Sequence, residues 1–332
     1  MLSYIVQRIL YMMVLLVLLS FVSFVLIELP PGDFLDNLIQ QLRNAGVQVD
    51  VEQIRDLEER YGLNLPFMQR YLKWFGNLLR GDMGESFAYN QPVTELIGQR
   101  LLLTVTISLL TLVLTYAIAI PIGIYSATHQ YSFTDYAATA FGFIGLATPN
   151  FLLALILMYI VFKYFGWSVG GLFSPEFEFS PWNLAKLVDL LKHLPIPLIV
   201  VGTAGTAGLI RVMRAALLDE LRKQYVLTGR AKGLEEGRLL FKYPLRIAIN
   251  PIVSSVGWLL PAIISGETLT ALVLGLPTVG PLLLQAQQGQ DMYLAGSLVM
   301  LLSALAMMGM LISDLMLVLV DPRIRFAREA TA

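Results

Sequence analysis

Cysteine is absent from the 332 residues, and histidine occurs only at His129 and His193. The first absence excludes a disulfide, a thiol nucleophile and a thiolate metal site; the second excludes a multi-histidine metal centre. Charge is scarce too. Only 14% of residues are Asp, Glu, Lys or Arg, against about a quarter in ordinary soluble proteins. The net charge of −1 leaves no basic surplus for a nucleic-acid partner. Motifs of chemistry are missing as well: there is no G-x-x-x-x-G-K-[ST] loop to cradle nucleotide phosphates, no H-E-x-x-H, and no G-x-S-x-G elbow with a histidine to serve it. The expectation is a chain with no catalytic residue, no metal site and no cofactor of its own. Internal repeats of the sort built into many secondary transporters are lacking too.

What the chain has instead is apolar length. Hydrophobic residues make up 56% of it, and the mean hydropathy is +0.68. Six stretches approach the ~20 residues that a helix needs to cross a bilayer: Ile9–Ile27, Leu101–Thr128, Tyr136–Phe162, Leu194–Ile210, Ile247–Gly266 with its apolar continuation, and Met292–Val320. His129 falls in the turn after the second, and His193 marks the start of the fourth. The first stretch is long for a signal-peptide core, and no alanine precedes Ala45, so it reads as an uncleaved anchor. Thirteen Lys and Arg lie in the N-terminus, 127–135, 211–246 and the C-terminal tail. The alternate segments, 31–100 and 163–192, hold ten, seven of them in the long connector 31–100 where the charge rule no longer applies. Both termini and 211–246 are thus expected on the cytoplasmic side of a multi-pass membrane protein.

The resulting organisation is an N-terminal tail and first span (1–30), a small helical extracytoplasmic subdomain (31–98), a membrane core (99–322) with a cytoplasmic insert at 211–246, and a cytoplasmic tail (323–332). Within the subdomain, Asp50 and Gln53 have capping-box spacing ahead of Ile54, Leu57 and Tyr61, and Gly62 ends that turn. A second helix is expected from Pro66, carrying Phe67, Tyr71, Trp74, Phe75 and Leu78. That aromatic stripe either covers the unit's own core or the bilayer surface, or docks an external partner. "RGDMGESF" (Arg80–Phe87) then supplies turn chemistry. Acidic residues at membrane depth are Glu28, Glu267 and Asp314, each a candidate because charge there is costly. Glu28 precedes a Pro-Pro-Gly turn and needs no role. Asp314 can pair with a neighbouring helix. Glu267, in "SGETLT", is read either as a transport-path or gating group or as an interhelical hydrogen bond.

Against this apolar background the insert stands out. Arg211–Arg246 holds thirteen charged side chains, nine of them basic, and Gly229, Gly233 and Gly237 fall four residues apart. "TGRAKG" (Thr228–Gly233) followed by "LRIAINP" (Leu245–Pro251) resembles the signature loop of ABC-importer permeases, with Gly229 where alanine is usual. More narrowly, "MLSYIVQRIL", "YGLNLPFMQRYLKW", "GDMGESFAYNQPVTELIGQRL", "ATPNFLLAL", "RAALLDELRKQYVLTGRAKG" and "DPRIR" follow in the order of the first permease subunit of the dipeptide/oligopeptide family, over nearly the whole length.

The resemblance implies an all-α, six-helix MetI-like transmembrane fold in a bacterial or archaeal cytoplasmic membrane. It implies a second, related permease subunit, two ATPase subunits that bind the ATP and magnesium, and an extracytoplasmic substrate-binding protein. The residues support that reading independently. A chain without an ATP site or an ion relay needs an outside energy source, and the insert is cytoplasmic and adhesive. Tyr225, Val226 and Leu227 offer apolar knobs, and Arg222, Lys223, Arg230 and Lys232 offer charge-assisted contacts. Gly233 permits a sharp reversal between two short helices. Thr228, Gly229 and Ala231 complete this ATPase-coupling loop. Pro121 and Pro149 lie within spans, where they kink or break helices. Thr148, Pro149, Asn150, Ser254, Ser265 and Glu267 are the expected lining of a translocation path. Two features depart from the family pattern: Glu267 lies further from "LPTVG" (Leu276–Gly280), and Thr278 replaces the usual glycine. Peptides are the substrate the family implies; oligosaccharides, nickel complexes or opines are the alternative. An ATP-independent channel or facilitator is a remote alternative that needs selectivity groups along a continuous path and uptake without the ATPase. A membrane enzyme would need a nucleophile or metal set that the sequence does not supply.

Overall fold

The computed structural model describes residues 2–28, 64–167, 170–177, 180–265 and 268–320. The Asp50–Gly62 helix expected from the sequence, Glu267 and the terminal "DPRIR" lie outside them. Among the described residues the regular structure is helical, with one isolated β-bridge between Glu85 and Pro92. Four helices are long and apolar enough to cross a membrane, or up to six if each of two bent pairs counts as one span. The chain forms two compact units.

One unit contains Leu2–Leu103 and Thr278–Leu305. Helix α1 (Leu2–Glu28) packs on α2 (Phe67–Leu79). Pro66 stands as the α2 N-cap, where a missing N–H costs nothing. The aromatic stripe of α2 turns out to be core: Tyr71 and Trp74 are buried. Phe24 of α1 meets Phe67, Tyr71 and Trp74 at ring distances of 5.3, 5.5 and 5.6 Å. The Tyr71 hydroxyl finds Ser20 Oγ at 2.9 Å. Glu28, expected to be idle, holds Arg70 at 2.7 Å.

Beyond α2 the chain turns through Gly81 and Gly84, both at positive φ, and enters α3 (Val93–Thr128). The turn is fastened to the corner between α13 (Val279–Gln288) and α14 (Met292–Val320) by Asp291. This carboxylate is fully buried. It accepts Ser86 Oγ at 2.5 Å and Ala88 N at 3.1 Å through one oxygen, and Leu294 N at 3.1 Å through the other. It therefore N-caps α14 and pins the loop at once. Burial pushes its carboxyl above the usual range, opposed by these donors. The folded loop thus binds a proton more tightly than the unfolded chain, so its stability falls as pH rises from the ordinary carboxylate value to the raised one. Asp291→Ala removes the acceptor from three donors and is expected to cost about 3 kcal/mol, read as a lowered Tm of the detergent-purified chain. Asp291→Asn, which keeps one acceptor, should cost less.

The other unit contains Thr104–Pro277 and the chain from Ala306. Its hub is α7 (Pro195–Leu221), against which pack α4 (Phe133–Ala147), α5 (Asn150–Phe165), α6 (Leu184–His193), α10 (Pro244–Ala248) and α11 (Asn250–Ser265). Small residues along α7 and its partners make this possible. A Cβ on Gly145 of α4 would meet Thr203 Cγ2 at 2.8 Å, and one on Gly202 would meet Thr115 Oγ1 at 3.2 Å. Close backbone approach of this kind drives helix association where lipid supplies no hydrophobic force. Hydroxyls add bonds: Tyr116 to Ser255 at 2.6 Å, and Ser313 to the carbonyls of Val253 and Ser254 at 3.2 and 3.1 Å. Outward faces are apolar. Phe141 of α4 is 75% exposed and Phe162 of α5 is 65% exposed, a surface suited to lipid rather than water.

Several boundaries differ from the sequence expectation, for local reasons. The fourth span does not stop at Ile210 but continues helically to Leu221, because nothing between them breaks a helix. The third divides at Thr148–Pro149, and α4 and α5 diverge by 106°. Proline at 149 forces the preceding residue out of helical backbone, and Thr148 is indeed extended. Pro121, by contrast, is carried inside a continuous α3.

Candidate functional site

The charged insert folds as two short helices hung from the end of α7. The chain leaves α7 at Arg222, and Lys223 turns extended to start α8 (Gln224–Ala231). Glu220 closes this corner, accepting Lys223 Nζ at 2.5 Å and the Tyr225 hydroxyl at 2.6 Å. Burial and the Glu220 carboxylate together push the Tyr225 hydroxyl well above its ordinary pKa, so it remains a donor at any physiological pH.

At the far end, Gly233 sits at φ +76°. Its N–H donates to Arg230 O at 2.9 Å, and the N–H of Leu234 donates to Gly229 O at 3.2 Å. These are the paired bonds of a Schellman closure with glycine in its left-handed position. Glu235 then leads into α9 (Glu236–Lys242). The Arg230 guanidinium forks the Glu236 carboxylate at 2.7 and 3.1 Å, tying the two helices. An exposed pair adds little stability, but a bidentate one fixes geometry.

The structure sorts the expected coupling residues by what they face. Val226 is fully buried, as is Gly229, whereas Leu227 is 48% exposed. Of the three apolar knobs, Leu227 alone projects, with Tyr225 half-buried on Glu220. Arg222, Lys223, Thr228, Arg230, Ala231, Lys232 and Gly233 are exposed. Two of the four cations, Lys223 and Arg230, already hold Glu220 and Glu236. Sequence reading passed over Phe241 of α9, 67% exposed, since its apolar character does not separate it from its buried neighbour Leu239.

A second feature at the root of this hairpin was also missed. Arg214, on α7, donates through Nε and Nη2 to the two oxygens of Asp135 at 2.8 and 2.9 Å. Asp135 is 2% exposed and further accepts Tyr131 N at 2.9 Å and the Ser126 hydroxyl. Its own N–H donates to the N-cap Ser132. The signal was present in "SFTD" (Ser132–Asp135), a capping-box spacing, but the arginine is distant in sequence. His129 stacks on Tyr125 in this turn at 4.3 Å, and His193 ends α6 with Nδ1 at 2.8 Å from Asp189 O.

Of the path residues, Thr148, Pro149 and Asn150 form the α4–α5 break, where Thr148 caps α4 and Pro149 caps α5. Ser254 is exposed on α11, with its hydroxyl donating to Asn250 O at 3.0 Å. Ser265 ends α11, and Glu267 lies outside the described residues. Helix α12 (Thr268–Val273), which begins just after Glu267, packs on α5. Among the described residues no group of three or more His, Asp or Glu is placed to hold a metal.

Set beside known proteins, the chain falls into one family. Residues 119–326 match the binding-protein-dependent transport system inner membrane component, and residues 1–111 match the N-terminal part of such membrane components. The chain belongs to this family, the MetI-like permease subunits of ABC importers. Among individual proteins, it is 36% identical to the oligopeptide transport system permease protein AppB of Bacillus subtilis, over 98% of this chain and 99% of that one. The dipeptide transport system permease protein DppB of Alkalihalophilus pseudofirmus is 29% identical over 98% of this chain and 100% of its own length. The oligopeptide transport system permease protein OppB of Haemophilus influenzae is 28% identical over the same shares.

Proposed function

We propose that this chain is one of two related permease subunits through which an ATP-driven importer moves peptides into the cell. Two separate ATPase subunits bind and hydrolyse the nucleotide, and an extracytoplasmic binding protein delivers the substrate. The observation that carries this reading is the α8–α9 hairpin: two short helices, closed at Gly233 and joined to α7 at the Glu220 corner, with Leu227 and basic side chains turned outward. Nothing in the fold of the membrane unit needs such a projection. A separate motor does, because force must enter a chain that has no nucleotide site.

The topology that fits is six spans, counting each bent pair as one, with both termini and 211–246 cytoplasmic and the connector 31–98 outside. The core is then 99–322 and the tail 323–332. ATP closes the motor subunits and draws the docked loops of both permeases together, so the spans rock between inward- and outward-facing states. Thr148, Pro149, Asn150, Ser254, Ser265 and Glu267 line the path, the first three at the break where α4 and α5 diverge by 106°. Peptide is preferred as substrate because the relatives named above are peptide permeases and the likeness to them spans the whole chain.

The test is uptake of a radiolabelled oligopeptide into liposomes holding this chain with its partner subunits and binding protein. Uptake that requires ATP inside and competes with unlabelled peptide, but not with an oligosaccharide, is expected. Uptake that persists without the motor subunits would make the chain a facilitator and defeat the reading.

A further inference from the structure

Helix α8 carries glycine at 229, and glycine in a helix interior is less stable than alanine. Its backbone is ordinary helix, so no left-handed turn demands it. The reason lies across the hairpin. A Cβ built on Gly229 would meet Leu239 Cδ1 at 2.4 Å and Leu234 Cδ1 at 3.6 Å. The first distance is closer than carbon atoms can approach. Leu239 cannot simply swing away, because it is 1% exposed. It belongs to α9, outside the signature residues Thr228–Gly233. Helices α8 and α9 are further locked by the Arg230–Glu236 fork and by the Leu234 N–H bond to Gly229 O. The missing methyl on one helix is therefore filled by a leucine on the other.

We infer that Leu239 is a positioning residue of the coupling helix: it seats in the space left by Gly229 and sets how α8 is presented to the ATPase. This rests on the coupling role proposed for α8 and names a residue pair that sets its angle. A methyl added at position 229 must push α8 off α9 while Val226 and the Glu220–Tyr225 corner hold its other end. The result is a tilt of the docking face rather than loss of the helix, since alanine favours helix.

The experiment uses the complete importer in liposomes and reads peptide taken up per ATP hydrolysed. Gly229→Ala is expected to lower this ratio about tenfold, less than the ~100-fold that a misplacement of a full ångström can cost, with the chain still assembled at its normal level. Gly229→Ala combined with Leu239→Ala should recover most of the ratio, because the truncated side chain leaves room for the new methyl. A purely structural role would change the amount of assembled importer and not the ratio. An unchanged ratio in Gly229→Ala, or a double variant no better than the single one, overturns the inference. Should Gly229→Ala not assemble, Leu239→Ala alone decides: it frees α8 without a clash, and its ratio must fall. Failure of the coupling reading looks different, since a thiol-directed cross-linker on Leu227→Cys would then not join α8 to the ATPase.

Discussion

Gly233→Asp is expected to abolish ATP-driven uptake while leaving the chain in the membrane at its normal level. Gly233 holds φ +76°, a region in which an L side chain costs roughly 1–2 kcal/mol. Its two neighbouring bonds, Gly233 N to Arg230 O and Leu234 N to Gly229 O, depend on that angle. The penalty is too small to unfold a membrane unit whose core lies in α7 and its partners. It is larger in proportion for an eight-residue helix whose C-terminal end is held by this closure together with the Arg230–Glu236 fork. Aspartate also places a negative charge between Lys232 and Glu235, beside the Arg230–Glu236 pair. Gly233→Asn isolates the charge, because asparagine and aspartate both tolerate the left-handed region better than other side chains and asparagine brings no charge. Uptake by the asparagine variant within about threefold of wild type is expected on that ground. Equal losses in both would show that the backbone angle, and not the charge, matters at this position, since a Cβ there meets nothing within 4 Å.

The second large effect is expected at Asp135 and Arg214. Breaking a buried ion pair from one side costs about 3–5 kcal/mol, because the remaining charge stays buried without its partner. The two sides are unequal here. The Asp135 side chain is 3% exposed and that of Arg214 is 27% exposed, so Arg214→Ala, which strands the carboxylate, should be the worse of the two. Asp135→Ala leaves an arginine that can reach water. Thermal inactivation of the purified chain reads both, and the double variant should lie closer to wild type than Arg214→Ala does. Arg214→Lys keeps the charge but cannot fork both carboxylate oxygens, and should fall between. Uptake should follow the same order. Arg214 stands on the helix that ends at the hairpin, and Asp135 stands at the start of α4, which ends at the Thr148–Pro149 break. The pair thus ties the helix that bears the proposed coupling hairpin to α4, which ends at a proposed path break.

These effects differ in how far they could be seen without coordinates. The Gly233 turn was legible because glycine spacing between two short helical segments has a specific backbone meaning, and the closure is found there. The last helix, Met292–Val320, coincides with the apolar run, since nothing but composition decides a straight span. The inward turn of Val226 and the outward turn of Leu227 were not legible, because an eight-residue helix is too short for periodicity to assign a face. Contacts distant in sequence were hidden as well. Asp135 finds Arg214 across 79 residues, and Asp291 finds Ser86 across 205; in each, one partner looked like an ordinary helix-capping or turn residue. The glycine at 229 could be noticed as unusual but not explained until Leu239 was seen against it.

The absence of cysteine gives a direct route to the central claim, that the α8–α9 hairpin is where a separate ATPase takes hold. Leu227→Cys introduces the chain's sole thiol at the large exposed apolar residue of α8. In membranes containing the assembled importer, a short thiol-to-amine cross-linker should join this position to an ATPase subunit and block uptake. The same reagent at Leu152→Cys, on the exposed face of α5, should leave the ATPase unlinked. An ATPase linked equally at both positions, or at neither, while wild-type uptake remains ATP-dependent, would contradict the account.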